Sequence, residues 1–269
     1  MATRIQKARK AFETKDITLA RAAHSKKSIQ AKSHGPENHV TAGQYLGEFV
    51  YGAIDGTITT FAVVAGAAGA SLSSGIVIIL GFANLLADGF SMACGNFLSE
   101  RAQKDYIEKE RKREEWEIEN VPEGEVEEIR EIFRKKGFKG KDLERAVQII
   151  TSDKKVWVDV MMADELGLLQ SPKNPWKTAA STYFGFLMIG IIPMTAYVLS
   201  YFFPFFQDNT FKIAIAMTLV ALITIGVIKR YVTKKNLWKS VIETVFVGGA
   251  AAVIAYFIGF FLRWLVGAY

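Results

Sequence analysis

The chain has 269 residues, half of them hydrophobic, and 33 Lys and Arg against 27 Asp and Glu give a formal net charge of +6. Its one cysteine, Cys94, excludes an intrachain disulfide. The length would suit one or two soluble domains, but the apolar residues come in long blocks. Basic residues gather in alternate links between those blocks, which explains the positive charge better than a nucleic-acid surface does.

Residues 1–47 read as a basic arm, flexible or lying on a surface. Lys7, Arg9, Lys10, Lys15, Arg21, Lys26, Lys27 and Lys32 offer charge to anionic lipid headgroups. The spacing of His24, His34 and His39 is irregular and fits solvated loops better than a metal site. No apolar core of the length of a cleavable signal peptide is read in the arm.

Five blocks then approach the roughly 20 apolar residues that a helical span needs. They cover about 48–70, 75–98, 178–204, 211–229 and 240–266. Lys and Arg concentrate in the arm, between spans 2 and 3, and in the link 229–239, so these parts are expected on the cytoplasmic side and the C-terminus outside. The expected architecture is an all-α membrane protein. Spans 1 and 2 occupy 48–98, a cytoplasmic helical metal-binding domain occupies 99–177, and spans 3–5 occupy 178–269.

Span 1 carries Asp55 among Gly52, Gly56, Gly66 and Gly69. A carboxylate inside a membrane is costly and points to a bundle interior or an aqueous path; pairing with a lysine or hydroxyl is the plainer alternative. The glycines predict close helix approach, and from this Asp55 is expected to face a second copy of its helix in a dimer. Thr57, Thr59 and Thr60 either line a polar path or bond back to their own helix. In span 2, Asn84, Asp88 and Ser91 fall at i, i+4 and i+7 on one face. Met92 beside them offers a soft thioether, although Met92 and Cys94 are also ordinary packing residues.

No Gly or Pro interrupts residues 96–120, so one helix is predicted to leave the membrane and end at Val121-Pro122-Glu123-Gly124. Further helices are predicted over about 123–137, 141–151 and 153–167. Glu114 and Glu117 share a face, as do Glu125 and Glu128, while Met161, Met162 and Glu165 lie within about one turn. Three helices aiming carboxylates and thioethers at one volume would make a divalent-metal site. Solvated faces with local pairs, such as Glu110 with Arg113 or Glu131 with Lys135, are the plainer alternative. Pro193 predicts a kink in span 3, Gly248 to Ala252 a helix-packing surface, and Glu243 a side chain that reaches water. There is no Glu-x-x-His pair, phosphate-binding glycine loop or His-Glu-x-x-His, so neither an enzyme nor an ATP-driven pump is expected.

These residues together resemble the vacuolar iron transporter family. The resemblance covers about 45–267 and rests on four stretches. They are Asp55-Gly56 followed by Thr57 to Ala62; Ser91-Met92 with Gly95; Met161-Met162-Ala163-Asp164-Glu165-Leu166-Gly167-Leu168; and Gly248-Gly249-Ala250-Ala251. It implies a homodimer of five-span protomers that moves Fe²⁺, and often Mn²⁺, out of the cytoplasm in exchange for protons through a path at the dimer interface. It implies that Asp55 and Met92 handle metal in the path, and that Glu114, Glu117, Glu125, Glu128, Met161, Met162 and Glu165 collect it in the cytoplasm. The chain departs from the family in one place. Where the family usually has a glutamate eight residues before the methionine this chain has Asn84, and Asp88 stands one turn later where a small residue is usual. The expected path is therefore Asp55, Asn84, Asp88 and Met92, with Asp88 taking over the charge.

No cofactor is expected beyond the divalent metal itself: Fe²⁺, with Mn²⁺, Co²⁺ and Zn²⁺ as further candidates. The expected partners are a second copy, the bilayer, metal ions and protons, with no nucleic acid. A prokaryotic plasma membrane is favoured over a vacuolar one. The competing reading is a membrane-anchored metal sensor or storage partner that moves no ions.

Overall fold

The computed structural model describes residues 4–25, 41–169, 173–233 and 236–266, and all the regular structure among them is helical. Two compact units divide the chain, Met1–Gln44 and Tyr45–Tyr269. The first contains α1 (Arg4–Thr14), α2 (Ile17–Ala23) and α3 (Thr41–Gln44), so part of the arm is helical. The Asp16 carboxylate caps α2, accepting hydrogen bonds from the backbone of Thr18 at 2.9 Å and Leu19 at 3.0 Å. His24 ends α2 with Nδ1 2.9 Å from the Ala20 carbonyl oxygen. His34, His39, Lys26, Lys27 and Lys32 lie outside the described residues.

In the second unit α4 (Leu46–Gly69) is followed by α5 (Ser74–Asn120). Then come α6 (Pro122–Lys135), α7 (Gly140–Thr151), α8 (Lys154–Val160) and a π-helix (Met161–Glu165). The chain closes with α9 (Pro175–Gly190), α10 (Ile192–Leu199), α11 (Pro204–Gln207), α12 (Thr210–Thr233) and α13 (Leu237–Val266). Among the described residues four single helices are long and apolar enough to cross a membrane, and α9 with α10, bent by 40°, gives up to a fifth where the pair counts as one span. Pro193 lies at the start of α10 and has no N–H for the carbonyl one turn back, so the helix breaks at Ile191. That span ends at Leu199, a few residues short of the expected Pro204, which opens α11 instead. Leu86, Phe90, Phe246 and Phe257 all stand more than half exposed on the spans, a surface suited to hydrocarbon and not to water.

Helix α4 is the hub, packing on α5, α9, α10, α12 and α13. Its glycines make this possible. A Cβ at Gly52 would lie 2.1 Å from the Thr182 carbonyl oxygen, and one at Gly185 would lie 2.2 Å from that of Phe49, so α4 and α9 touch backbone to backbone. These contacts lie within one chain. Gly52 therefore serves the protomer's own packing and does not by itself supply the dimer face expected of it. Gly52→Val should overpack this contact by about 1–3 kcal/mol and lower the unfolding temperature of the detergent-purified protein. An unchanged midpoint would contradict the packing.

Beyond the spans α5 continues as a stem on which α6, α7 and α8 fold. Their apolar stripes, including Ile129, Leu143, Val147, Trp157 and Val158, close on Ile107 and Ile118 of the stem. Gly137, at φ +99°, stops α6. Phe138 N–H then reaches the Phe133 carbonyl at 3.1 Å and Gly137 N–H reaches that of Arg134 at 3.0 Å, while the two phenylalanine rings meet edge to face at 5.4 Å.

Candidate metal centre and membrane path

The stem presents Glu114 and Glu117 about one turn apart. Pro122 opens α6 directly after the stem and brings Glu125 into the first turn of that helix. One carboxylate oxygen from each of Glu114, Glu117 and Glu125 lies within 4.8 Å of the others. Glu114 is 1 % exposed and Glu125 6 %. The Oε2 atom of each is buried with no hydrogen-bond donor. Arg113 faces the same cluster: it lies 3.0 Å from Glu110, 2.9 Å from Glu117 and 2.8 Å from Glu114 Oε1, the last as an ion pair without hydrogen-bond geometry. Of the expected convergence of three helices, the structure brings together three carboxylates from the stem and α6. The local ion pairs are present, and so is a convergence of carboxylates that they do not saturate.

Burial pushes Glu114 up to about 7; the neighbouring Glu165, Glu117 and Glu128 add to this and Arg113 opposes it. Glu125 is also pushed up to about 7, by burial first and then by Glu128, Glu114, Glu117 and Glu165. Buried anionic oxygens without donors are costly, and a divalent cation with oxygen ligands supplies the missing positive charge. Glu128 and Glu165 stand exposed at the edge of the group. Burial, and next the charge of Glu128, raise Glu165 as well.

Met161 and Met162 are 0 % and 4 % exposed and belong to the apolar core with Ile107, Ile129 and Trp157. The structure thus gives them packing partners, as the plainer reading of a methionine predicts. Leu166 N–H bonds the Met161 carbonyl at 3.1 Å, five residues back, in the widened π turn that ends at Glu165. Such turns recur at functional sites, and this one joins the core to the acidic group.

In the spans, half-buried Asp55 on α4 interacts electrostatically with Asp88 on α5. Asn84, Asp88 and Met92 are all half-buried at steps of four, whereas Ser91 is exposed, so the polar stripe follows Met92. Asn84 Nδ2 is buried without a partner. Thr57 and Thr59 donate to the carbonyls of Ala53 at 2.7 Å and Asp55 at 2.9 Å on their own helix, while Thr60 Oγ1 is buried and unpartnered. Cys94 is a half-buried free thiol. Glu243 pairs with Lys229 at 3.2 Å.

The sequence reading passed over a polar pocket at the stem end of the spans, lined in part by Glu48, Asn96, Glu100 and Thr178. The available signal was Glu48 itself, seven residues before Asp55 and so two turns away on the same helical face.

The described residues thus make an all-helical protein with membrane-length spans, two carboxylates inside them and an acidic cluster on the extension of the second. The VIT family profile matches residues 46–260. The chain is 36% identical to the "Vacuolar iron transporter" of Toxoplasma gondii, over 98% of this chain and 90% of that protein. It is 35% identical to the Plasmodium falciparum protein of the same name, over 95% of each, and 33% identical to "Vacuolar iron transporter 1" of Arabidopsis thaliana, over 83% of this chain and 88% of that one. The chain belongs to the VIT family, the vacuolar iron transporters. These relatives are named as transporters and not as enzymes.

Proposed function

We propose that this protein exports Fe²⁺, and Mn²⁺ as well, from the cytoplasm in exchange for protons, as a homodimer whose 99–177 domain lies in the cytoplasm. One observation carries the reading: a single unbroken helix, α5, holds Asp88 and Met92 among the spans and Glu114 and Glu117 in the acidic cluster. From Met92 to Glu114 the helix rises roughly 33 Å at about 1.5 Å per residue. Collection and passage are thus two stations on one rigid element.

The chemistry follows from the donors. Carboxylates with a neighbouring thioether suit borderline divalent ions. A cluster that titrates near neutrality takes metal from near-neutral solution. An intramembrane carboxylate binds either a metal ion or a proton, so protons from an acidic side displace the ion. The relatives' names point to a vacuolar membrane, whose acidic lumen would supply those protons, and so favour it over the prokaryotic plasma membrane preferred from sequence. The dimer is supported by Asp55, half-buried in one chain beside the 56 %-exposed Tyr51, since a carboxylate next to lipid needs a polar neighbour.

Proteoliposomes holding the purified protein should take up Fe²⁺ or Mn²⁺ with proton counterflow, and the protein's mass in detergent should be that of a dimer. Metal binding without flux would favour the sensor reading. Full transport by a monomer would remove the interface.

A further inference from the structure

The polar pocket at the stem end of the spans has a volume of about 280 Å³ and is lined by Glu48, Tyr51, Asn96, Ser99, Glu100 and Thr178. Two of its oxygens are left over by the fold. Thr178 is 2 % exposed, and its Oγ1 has no hydrogen-bond partner. The Glu48 side chain is 13 % exposed; its Oε1 accepts from the Lys173 ammonium, and its Oε2 is buried with no partner. The neighbouring amide is already oriented: Asn96 Nδ2 donates to Thr182 Oγ1 at 2.7 Å, so its oxygen is the atom left to accept. The register connects this pocket to the path. Asn96 lies one turn from Met92 along α5, and Glu48 lies two turns from Asp55 along α4.

We propose that this pocket is a separate cation site, which holds a partly hydrated divalent metal ion between the acidic cluster and Asp55, with the Lys173 ammonium as the resident cation that the metal displaces. The identity of the ion rests on the transport reading above; the site itself rests on the unpartnered oxygens. Every donor is oxygen and none is sulfur, a hard set that suits an ion keeping part of its water. The volume equals roughly nine waters at about 30 Å³ each, room for an ion and most of its shell. Lys173 lies on the link between the π-helix and α9. The Glu48 hydrogen bond, together with the charges of Glu48 and Glu100, raises it, so it is a full cation at neutral pH. A divalent ion on Glu48 would repel it.

Mn²⁺ binding to full-length protein in detergent, read by electron paramagnetic resonance of the free ion, tests this. The background is a Glu114→Gln/Glu117→Gln/Glu125→Gln/Asp55→Asn chain, in which the cluster and the membrane path are disabled. This background should still bind one Mn²⁺. Adding Glu48→Gln should abolish that binding, and Thr178→Val should weaken it several-fold. Lys173→Met, which keeps every oxygen and removes the competing charge, should tighten it about tenfold. Undiminished binding with Glu48→Gln, or unchanged or weaker binding with Lys173→Met, overturns the site while the transport reading stands. If the unsubstituted protein binds no Mn²⁺ at all, both fall together.

Discussion

Asp55→Asn is expected to abolish metal flux in proteoliposomes. Asparagine keeps the size and one oxygen but can neither balance an ion's charge nor carry a proton, so both halves of the exchange are lost. Asp88 gives the finer result. The structure places Asp88 where its charge acts on Asp55, and Asn84, one turn away, has an amide nitrogen without a partner. A second acid among the spans is costly unless it is paired, hydrated or used. Asp88→Asn is therefore expected to leave residual metal movement and lose the proton counterflow. The double variant Asn84→Glu/Asp88→Gly should restore the coupling by returning the carboxylate to the position usual in the family. Near-normal coupled flux in Asp88→Asn would show that Asp88 only faces water or helps packing.

The acidic cluster should respond as steeply to pH as to mutation. Glu114→Gln/Glu117→Gln/Glu125→Gln removes three converging charges and should weaken metal binding at the cluster by about a thousandfold, taking ~1.4 kcal/mol, a factor of ten, for each. In the unsubstituted protein Glu114 and Glu125 titrate at about 7 instead of the ordinary 4.5. Affinity should therefore rise as pH increases through about 7 and fall away below it, with protons released on binding. The stability of the metal-free protein runs the other way. Between 4.5 and about 7 the folded state holds protons that the unfolded state has lost, so these two groups favour the folded state below that window and cost stability above it. The metal-free protein should unfold at a lower temperature at pH 8 than at pH 5, and added Mn²⁺ should raise the midpoint far more at pH 8. Calorimetry with and without metal reads both. Equal metal stabilisation at the two pH values would mean that the ion does not bind these carboxylates.

The elements were legible from sequence because local rules set them. Absence of Gly and Pro from 96–120 is enough to carry α5 past its apolar stretch to Asn120, Gly137 is enough to stop α6, and Pro193 is enough to break the third span. The pairs Glu114 with Glu117 and Glu125 with Glu128 followed from helical spacing, and the family followed from the motifs around Asp55, Met92 and Met161. What spacing cannot give is distance across the fold. Only the tertiary structure decides that Gly52 and Gly185 bring α4 and α9 into backbone contact inside one protomer, where the sequence allowed a contact between two. The folded cluster joins Glu125 to Glu114 and Glu117 and leaves Glu128 outside that group. It buries Met161 and Met162 in the apolar core and sets Arg113 among the acids. It also leaves Glu48 and Thr178 with unpartnered oxygens in one pocket, although they lie 130 residues apart. Hydrophobic period and helix breakers act within a few residues of the chain, whereas burial, pairing and charge coupling depend on which surfaces meet after the helices pack.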